Sequence, residues 1–202
     1  MYSKFPNLIL GFHGTDEEIV MDVVAGKTEL NKSKNDYDWL GNGIYFWEFN
    51  YNRALDFAIQ NKGKKKDGKV RIKKPSVIGA VIDLGLCLNL VDNVSLMLLK
   101  DAYNLFVTIQ QKNNLPLPQN IPLGENNDLL KRNLDCAVIE TLHSINDEIQ
   151  FDSVRGVFFE GNDLYPNAGF KEKNHIQICI RNPNCIKGYF LPRRKDINFR
   201  LP

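Results

Sequence analysis

Three polar side chains sit on apolar stretches where a ligand could reach them. His13 follows an apolar run and precedes Gly14, whereas Tyr45 lies in the stretch GNGIYFWE. Gln177 belongs to a later stretch in which polar and apolar residues alternate. A histidine ring nitrogen can donate or accept a hydrogen bond, and a glycine lets a ligand approach the backbone. Each stretch alone is also typical of an ordinary strand end or a core strand, so only their combination points to a binding site.

The alternation of side chains along a strand predicts which face each residue occupies. Tyr45 and Trp47 share one face, which could present a flat aromatic to a ring, and Phe46 points to the other. Gln177 shares the less apolar face of its strand with Cys179. A buried glutamine needs a hydrogen-bond partner, and that partner could be protein or ligand.

The elements that must hold these residues form an irregular order of strands and helices. The predicted strands are 8–12, 43–47, 77–90, 154–159, 176–180 and 186–191. The first predicted helix is capped by Thr15 or Asp16, and the second is capped by Asn52. A third helix covers 95–111, a loop follows over 113–127, and a fourth helix is capped by Asp128. This order favours an α+β fold with a split antiparallel β-sheet core and flanking helices, in one domain over residues 1–202.

Composition narrows the class of protein. The chain has 202 residues, with 43% apolar and 25% charged, which is typical of one soluble globular domain. We find neither an apolar run long enough for a membrane span nor a signal-peptide pattern, so we expect no membrane partner. The cysteines form no Cys-x-x-Cys pair, which indicates buried reduced thiols, a cytoplasmic location and no metal site; they are Cys87, Cys136, Cys179 and Cys185.

A basic run covers residues 62–74, KGKKKDGKVRIKK, and includes a single acidic residue, Asp67. The favoured interpretation is a solvated loop between a helix and the strand that starts near Val77. The alternative is a contact for the phosphates of nucleic acid or of another charged partner. The run contains no aromatic residue, so it does not predict base stacking.

Taken together, the three stretches resemble the ADP-ribosyltransferase superfamily, on its diphtheria-toxin and poly(ADP-ribose) polymerase side. FHGT at 12–15 is similar to the His-Gly-Thr or His-Gly-Ser strand of that family. GNGIYFWEFNYNRALDFA at 41–58 is similar to its Gly-x-Gly-Ile-Tyr-Phe strand and following helix. QICIRNPNCIKGYFL at 177–191 has the spacing of its last motif, but Gln177 stands where the family usually has glutamate.

The resemblance implies that NAD is the substrate and that its nicotinamide–ribose bond is broken. His13 would hydrogen-bond a ribose hydroxyl, the backbone of Gly14 would bind the nicotinamide amide, and Tyr45 would stack on the nicotinamide ring. Arg53 would close the pocket wall. The motif residues Thr15 and Gly43 complete the set expected to contact NAD.

Gln177 departs from the family pattern because it carries no charge. It can still accept a hydrogen bond from a ribose hydroxyl, but it stabilises a developing cation less than a carboxylate does. The resemblance then implies transfer of a single ADP-ribose to a protein or nucleic acid, and Glu160 is the candidate for a carboxylate supplied from elsewhere in the chain. Glu160 could also be a solvated loop residue.

Two other classes of function stay open. One is a catalytically inactive domain that binds NAD or ADP-ribose, and the other is a nucleic-acid-binding module that uses the basic run. By analogy alone, a free-standing transferase domain of this kind suits a bacterial toxin or defence effector.

Overall fold

The computed structural model describes residues 8–123, 128–145, 150–193 and 196–200. The helices in this part of the chain are α1 (Glu17–Val24), α2 (Tyr51–Gln60), α3 (Asn93–Lys112) and α4 (Asn133–Ser144). The strands are β1 (Ile9–Asp16), β2 (Ile44–Glu48), β3 (Lys65–Lys66), β4 (Lys69–Val70), β5 (Pro75–Ile82), β6 (Cys87–Asn89), β7 (Asn120–Leu123), β8 (Asp128–Arg132), β9 (Ser153–Phe158), β10 (His175–Ile180) and β11 (Ile186–Phe190). The domain is therefore α+β, as predicted.

Seven strands form one sheet in the order β11-β5-β1-β2-β10-β9-β6, and β3–β4 and β7–β8 form two separate hairpins. The sheet is mixed, because β6 pairs with β9 in the parallel sense whereas the other neighbours are antiparallel. The predicted antiparallel pairing is therefore wrong at this edge. The chain reaches β6 by crossing from β5 to the opposite edge of the sheet, which gives β6 its parallel direction.

The sheet is nearly interrupted between β1 and β2. Those strands pair only at Gly11 with Glu48 and at Phe12 with Trp47. On its other side β1 pairs with β5 over its whole length, up to Asp16. The two neighbours therefore part after Phe12, and a gap opens on the β2 side of the remaining β1 residues.

Apolar residues fill both faces of the sheet. One face packs against α1 through a cluster that includes Val20, Phe46, Ile78, Ile82, Ile178 and Ile180. The other face packs against α3 and α4 through Leu88, Val138, Ile139, Val154, Phe158 and Cys179, and a smaller cluster around Trp47, Ala54 and Val77 lies beneath α2. Burying an aliphatic or aromatic side chain of this size stabilises the fold by roughly 1.5–3 kcal/mol.

The predicted faces of β2 and β10 are confirmed. Phe46 lies in the cluster against α1, whereas Tyr45 packs on the other face. Ile178 and Ile180 alternate with Cys179 in the same way. The four cysteines are free thiols, and burial raises the pKa of Cys136 to about 11.

Some predicted boundaries are wrong for local reasons. Asp16 caps α1, since it accepts a hydrogen bond from the Glu18 amide, but Asn50 rather than Asn52 caps α2. The strand predicted over 77–90 ends at Ile82, and a turn with Gly85 at φ +58° separates it from β6. Glycine adopts this left-handed conformation without steric cost.

The predicted loop over 113–127 is wrong at 120–123, and residues 124–127 of that prediction lie outside the described part of the chain. The helix start predicted at Asp128 is also wrong. Both regions contribute to the hairpin of β7 and β8, and α4 begins later, at Asn133. The first turn of α4 has no cap from its own preceding residue. Asn120, on β7, supplies the cap instead, since its Oδ1 accepts from the amides of Leu134 and Asp135 at 3.0 and 3.2 Å.

The basic run connects α2 to β5 as expected, but it contains the short β3–β4 hairpin. Asp16 fixes the C-terminal end of the run, because Oδ2 of Asp16 accepts hydrogen bonds from the amides of Lys73 and Lys74 at 2.6 and 2.8 Å. The side chains of Lys62, Lys64, Lys65 and Lys69 are exposed.

Candidate functional site

His13 lies at the point where β1 and β2 part. The sequence places it at a strand end, but β5 continues to pair with β1 beyond it, so His13 is inside the strand. Its Nδ1 donates to the backbone oxygen of Tyr45 at 2.7 Å. The imidazole therefore bridges the gap between the two strands.

This hydrogen bond fixes the state of the His13 ring. A carbonyl only accepts, so Nδ1 carries the proton and Nε2 keeps a lone pair. Burial of the ring lowers the pKa of His13, against a smaller opposing effect of the Tyr45 carbonyl. We see no hydrogen bond to Nε2 in the described part of the chain. A neutral His13 can accept a hydrogen bond from a hydroxyl at Nε2.

Gly14 has backbone groups that the gap leaves without a strand partner. Leu10 accepts from the Phe49 amide on the β2 side, so the alternation of the strand directs the amide of Gly14 to that side too. The Tyr45 oxygen that would accept from this amide in a continued ladder is taken by His13. The Gly14 N–H therefore points toward the gap and lies outside the paired part of the β1–β2 ladder.

The missing side chain of Gly14 has a different cause from the one expected. A Cβ there would lie 1.9 Å from the backbone oxygen of Ala54, so the absence of a side chain admits α2 and not a ligand. Gly43 is similar, since its Cβ would lie 2.5 Å from Cys179 Sγ and 2.6 Å from the oxygen of Ile180. Both glycines serve close packing of elements.

Tyr45 is held at both ends. Its hydroxyl donates to the Gly41 oxygen at 2.7 Å and accepts from the Leu40 amide at 2.8 Å. Burial raises the pKa of this phenol well above its usual value, so the hydroxyl stays protonated. Tyr45 therefore behaves as a residue of a core strand, which is one of the alternatives for its stretch, and its ring packs against the cluster that faces α3 and α4. We name His13, Gly14 and Tyr45 the gap residues.

Gln177 is buried on β10, directly opposite Trp47 of β2. Its Nε2 lies 3.2 Å from Nε2 of His175, two residues earlier on the same face. We see no hydrogen bond to the Gln177 carbonyl oxygen in the described residues. The amide nitrogen of Gln177 therefore has a protein partner, whereas its carbonyl oxygen could accept a hydrogen bond from a ligand.

Glu160 is not a solvated loop residue. It follows β9 and lies 2.7 Å from Nη2 of Arg53, and the two side chains are 9% and 10% exposed. The same carboxylate oxygen is 3.5 Å from Nδ1 of His175. We name Arg53, Glu160, His175 and Gln177 the ion-pair cluster. The structure thus brings together three of the predicted site residues through His175.

Arg53 keeps unused hydrogen-bonding capacity. Its guanidinium carbon lies 5.7 Å from the centre of the Trp47 ring, and its Nε and Nη1 are buried without a partner among the described residues. A buried pair of this kind is stable only while both charges are present.

Gly43 joins neither group, and neither does Thr15. It is buried in β1 opposite Ser76, and we find no hydrogen bond between its side chain and another predicted residue in the described ranges. Trp47 and His175 were missed as site residues. The signal for His175 was its spacing of two from Gln177, which puts both on one face of a strand.

Two surface cavities of the described residues lie elsewhere. One, of about 640 Å³, lies between α3, α4 and the 34–42 loop, with Phe106, Asn133 and Glu140 in its wall. The other, of about 590 Å³, is lined by residues that include Leu30 and Tyr189. No predicted site residue lines either cavity.

Family models, curated proteins and solved structures contain no match to this chain. Across the described ranges, we find no helix whose length and apolar character would let it cross a membrane. Nor do three or more histidine, cysteine or acidic side chains converge there as ligands for a metal ion.

Proposed function

We propose that this protein is an NAD-dependent mono-ADP-ribosyltransferase that modifies a macromolecule. The observation that carries the proposal is the early end of the β1–β2 ladder at His13. There the imidazole bonds Tyr45 and leaves a hydrogen-bond acceptor and a backbone amide facing one gap. An acceptor for a sugar hydroxyl and a donor for an amide oxygen are the groups that the two ends of nicotinamide riboside require.

Gln177 would act at the reacting ribose. Cleavage breaks the bond between the ribose carbon and the nicotinamide nitrogen, and the bonding electron pair leaves with nicotinamide. Positive charge then develops on the ribose, as in glycoside cleavage. The carbonyl oxygen of Gln177 would accept from a ribose hydroxyl and hold the sugar, and a nucleophile of the acceptor would take the ADP-ribose and release its proton.

Glu160 is the carboxylate nearest to this chemistry in the cluster. Its charge is offset by Arg53 at 2.7 Å, so it stabilises a cation less than a free carboxylate would. This pairing supports slow transfer of single units. It equally favours the second candidate, a domain that binds NAD or ADP-ribose without turnover.

Incubation of the protein with NAD separates these functions. Release of nicotinamide supports the transferase, and binding in calorimetry without release supports the non-catalytic domain. Salt-sensitive binding of nucleic acid without affinity for NAD would instead assign the function to the basic run. Repeating the incubation in lysate with NAD labelled on its adenosine half would identify the acceptor class.

A further inference from the structure

The orientation of the Gln177 amide is determined by its neighbour on the strand. His175 is fully buried at its side chain, and its Nδ1 lies 2.7 Å from the Lys173 oxygen. That carbonyl can only accept, so Nδ1 carries the proton of the neutral ring and Nε2 keeps a lone pair. The atom of Gln177 that faces this lone pair must therefore be a donor.

Only one end of the glutamine amide can donate. The nitrogen of Gln177 lies 3.2 Å from His175 Nε2, which satisfies the lone pair. The reversed amide would bring two acceptors together and lose the hydrogen bond. The carbonyl oxygen is consequently turned away from His175.

We propose that His175 is a positioning residue that keeps the Gln177 carbonyl oxygen outward, so that this position takes a hydrogen-bond donor such as a sugar hydroxyl. The identity of that hydroxyl as the ribose of NAD rests on the proposed function. The orientation itself rests only on the His175 and Lys173 contacts. Protonation of His175 would place a donor at Nε2 and favour the reversed amide.

The charged groups around His175 come from three directions. Glu160, after β9, lies 3.5 Å from Nδ1, and Arg53 of α2 pairs with Glu160. Arg132, at the end of β8, lies 4.8 Å above the ring of Phe158, whose centre is 5.8 Å from that of His175. Burial lowers the pKa of His175, and the nearby charges of Arg53 and Arg132 lower it further. The Glu160 carboxylate acts in the opposite direction and raises this pKa. The outward carbonyl should therefore persist at neutral pH and be lost as the pH falls below the usual histidine range.

The direct test uses nitrogen NMR of ligand-free protein labelled in histidine. The sequence contains three histidines, and each has Nδ1 at 2.7 Å from a backbone oxygen, of Tyr45 for His13, of Ile139 for His143 and of Lys173 for His175. We expect all three in the same neutral tautomer near pH 7.5. Gln177→Leu should move the Nε2 resonance of His175 and leave that of His143 in place.

Protonated Nε2 at neutral pH, or an Nε2 resonance that ignores Gln177→Leu, would overturn the proposal. This outcome is independent of NAD. If the chain neither binds nor cleaves NAD, the proposed function fails while the NMR result still decides the orientation.

A second test uses function. His175→Gln keeps an acceptor near the position of Nε2, whereas His175→Phe keeps an aromatic ring beside Phe158 but offers none. We expect nicotinamide release by His175→Phe to fall about tenfold, the factor given by one ordinary hydrogen bond. His175→Gln should retain most of the activity and lack the decline at acid pH that we expect of the wild type. Equal rates and equal pH profiles in all three proteins would contradict the positioning role.

Discussion

The gap residues lie on β1 and β2, whereas the ion-pair cluster comes from α2, β10 and the segment after β9, and the two regions are built in opposite ways. Among the described residues we see no hydrogen bond to Nε2 of His13, and the amide of Gly14 points toward the gap. The cluster pairs its side chains with one another, since Arg53 pairs with Glu160 and Gln177 donates to His175, while Nε and Nη1 of Arg53 stay buried without a partner among the described residues. The gap residues can contact a ligand without rearrangement, whereas the ion-pair cluster can contact one mainly through the Gln177 carbonyl oxygen.

This difference separates binding from chemistry. Substitutions at the gap should act on the affinity for NAD, because under the proposed function those groups would contact the substrate before reaction. Substitutions in the cluster should act on turnover or on stability, because its groups either meet the developing charge or hold one another.

The largest effect is expected at His13. His13→Ala removes the ring that bridges the gap and should abolish NAD binding, measured by calorimetry, while the protein stays folded by circular dichroism. His143→Ala is the matched control, since His143 also holds a backbone oxygen at 2.7 Å but lies in α4. Wild-type affinity in His13→Ala would show that the gap is not the NAD site.

Tyr45 requires a gentler change than truncation. Tyr45→Ala removes a core ring, and loss of a buried aromatic costs about 3–5 kcal/mol, so lost NAD binding there is not diagnostic. Tyr45→Phe keeps the ring and leaves the Leu40 amide unpaired, which costs about 1–3 kcal/mol. We expect a lower melting temperature with NAD affinity retained. A large loss of affinity in Tyr45→Phe would mean that the hydroxyl, rather than the ring, contacts NAD.

Glu48, on the opposite side of the sheet, provides a matched control for substitution of Glu160. Glu160→Gln and Glu48→Gln each break a nearly buried ion pair, with Arg53 and Arg155, respectively. Loss of one partner from such a pair costs about 3–5 kcal/mol, so chemical denaturation should show both variants to be destabilised. Only Glu160→Gln should also slow nicotinamide release. Equal release rates from the two variants would reduce Glu160 to a structural residue.

The smallest effect on NAD is expected in the basic run. Neutralising Lys64, Lys65 and Lys66 should leave the affinity for NAD unchanged, because the run lies outside both regions. It should change the choice of acceptor or the rate of association with it. A large loss of NAD affinity in this triple variant would contradict this prediction and indicate that the basic run lies over the NAD site.

Local patterns predicted the strand faces but not the contacts between distant elements. The alternation in 175–181 was enough to put Gln177 and Cys179 on one face, since side-chain direction depends only on the backbone period. The length of β1 depended on its partner β5, and the cap of α4 came from Asn120 on another element. The pairing of Arg53 with Glu160 joins residues 107 positions apart, so no local signal could reveal it.

The central claim is that β1, β2 and β10 form one NAD site with Gln177 at the reacting ribose. Single-turnover release of nicotinamide, compared between wild type and Gln177→Ala, tests it most directly. We predict release on the order of a hundredfold slower in Gln177→Ala, with only a mild loss of NAD affinity, because the lost contact matters most once charge develops. Gln177→Glu should preserve or raise hydrolysis of NAD. Release from Gln177→Ala as fast as from wild type would contradict the claim.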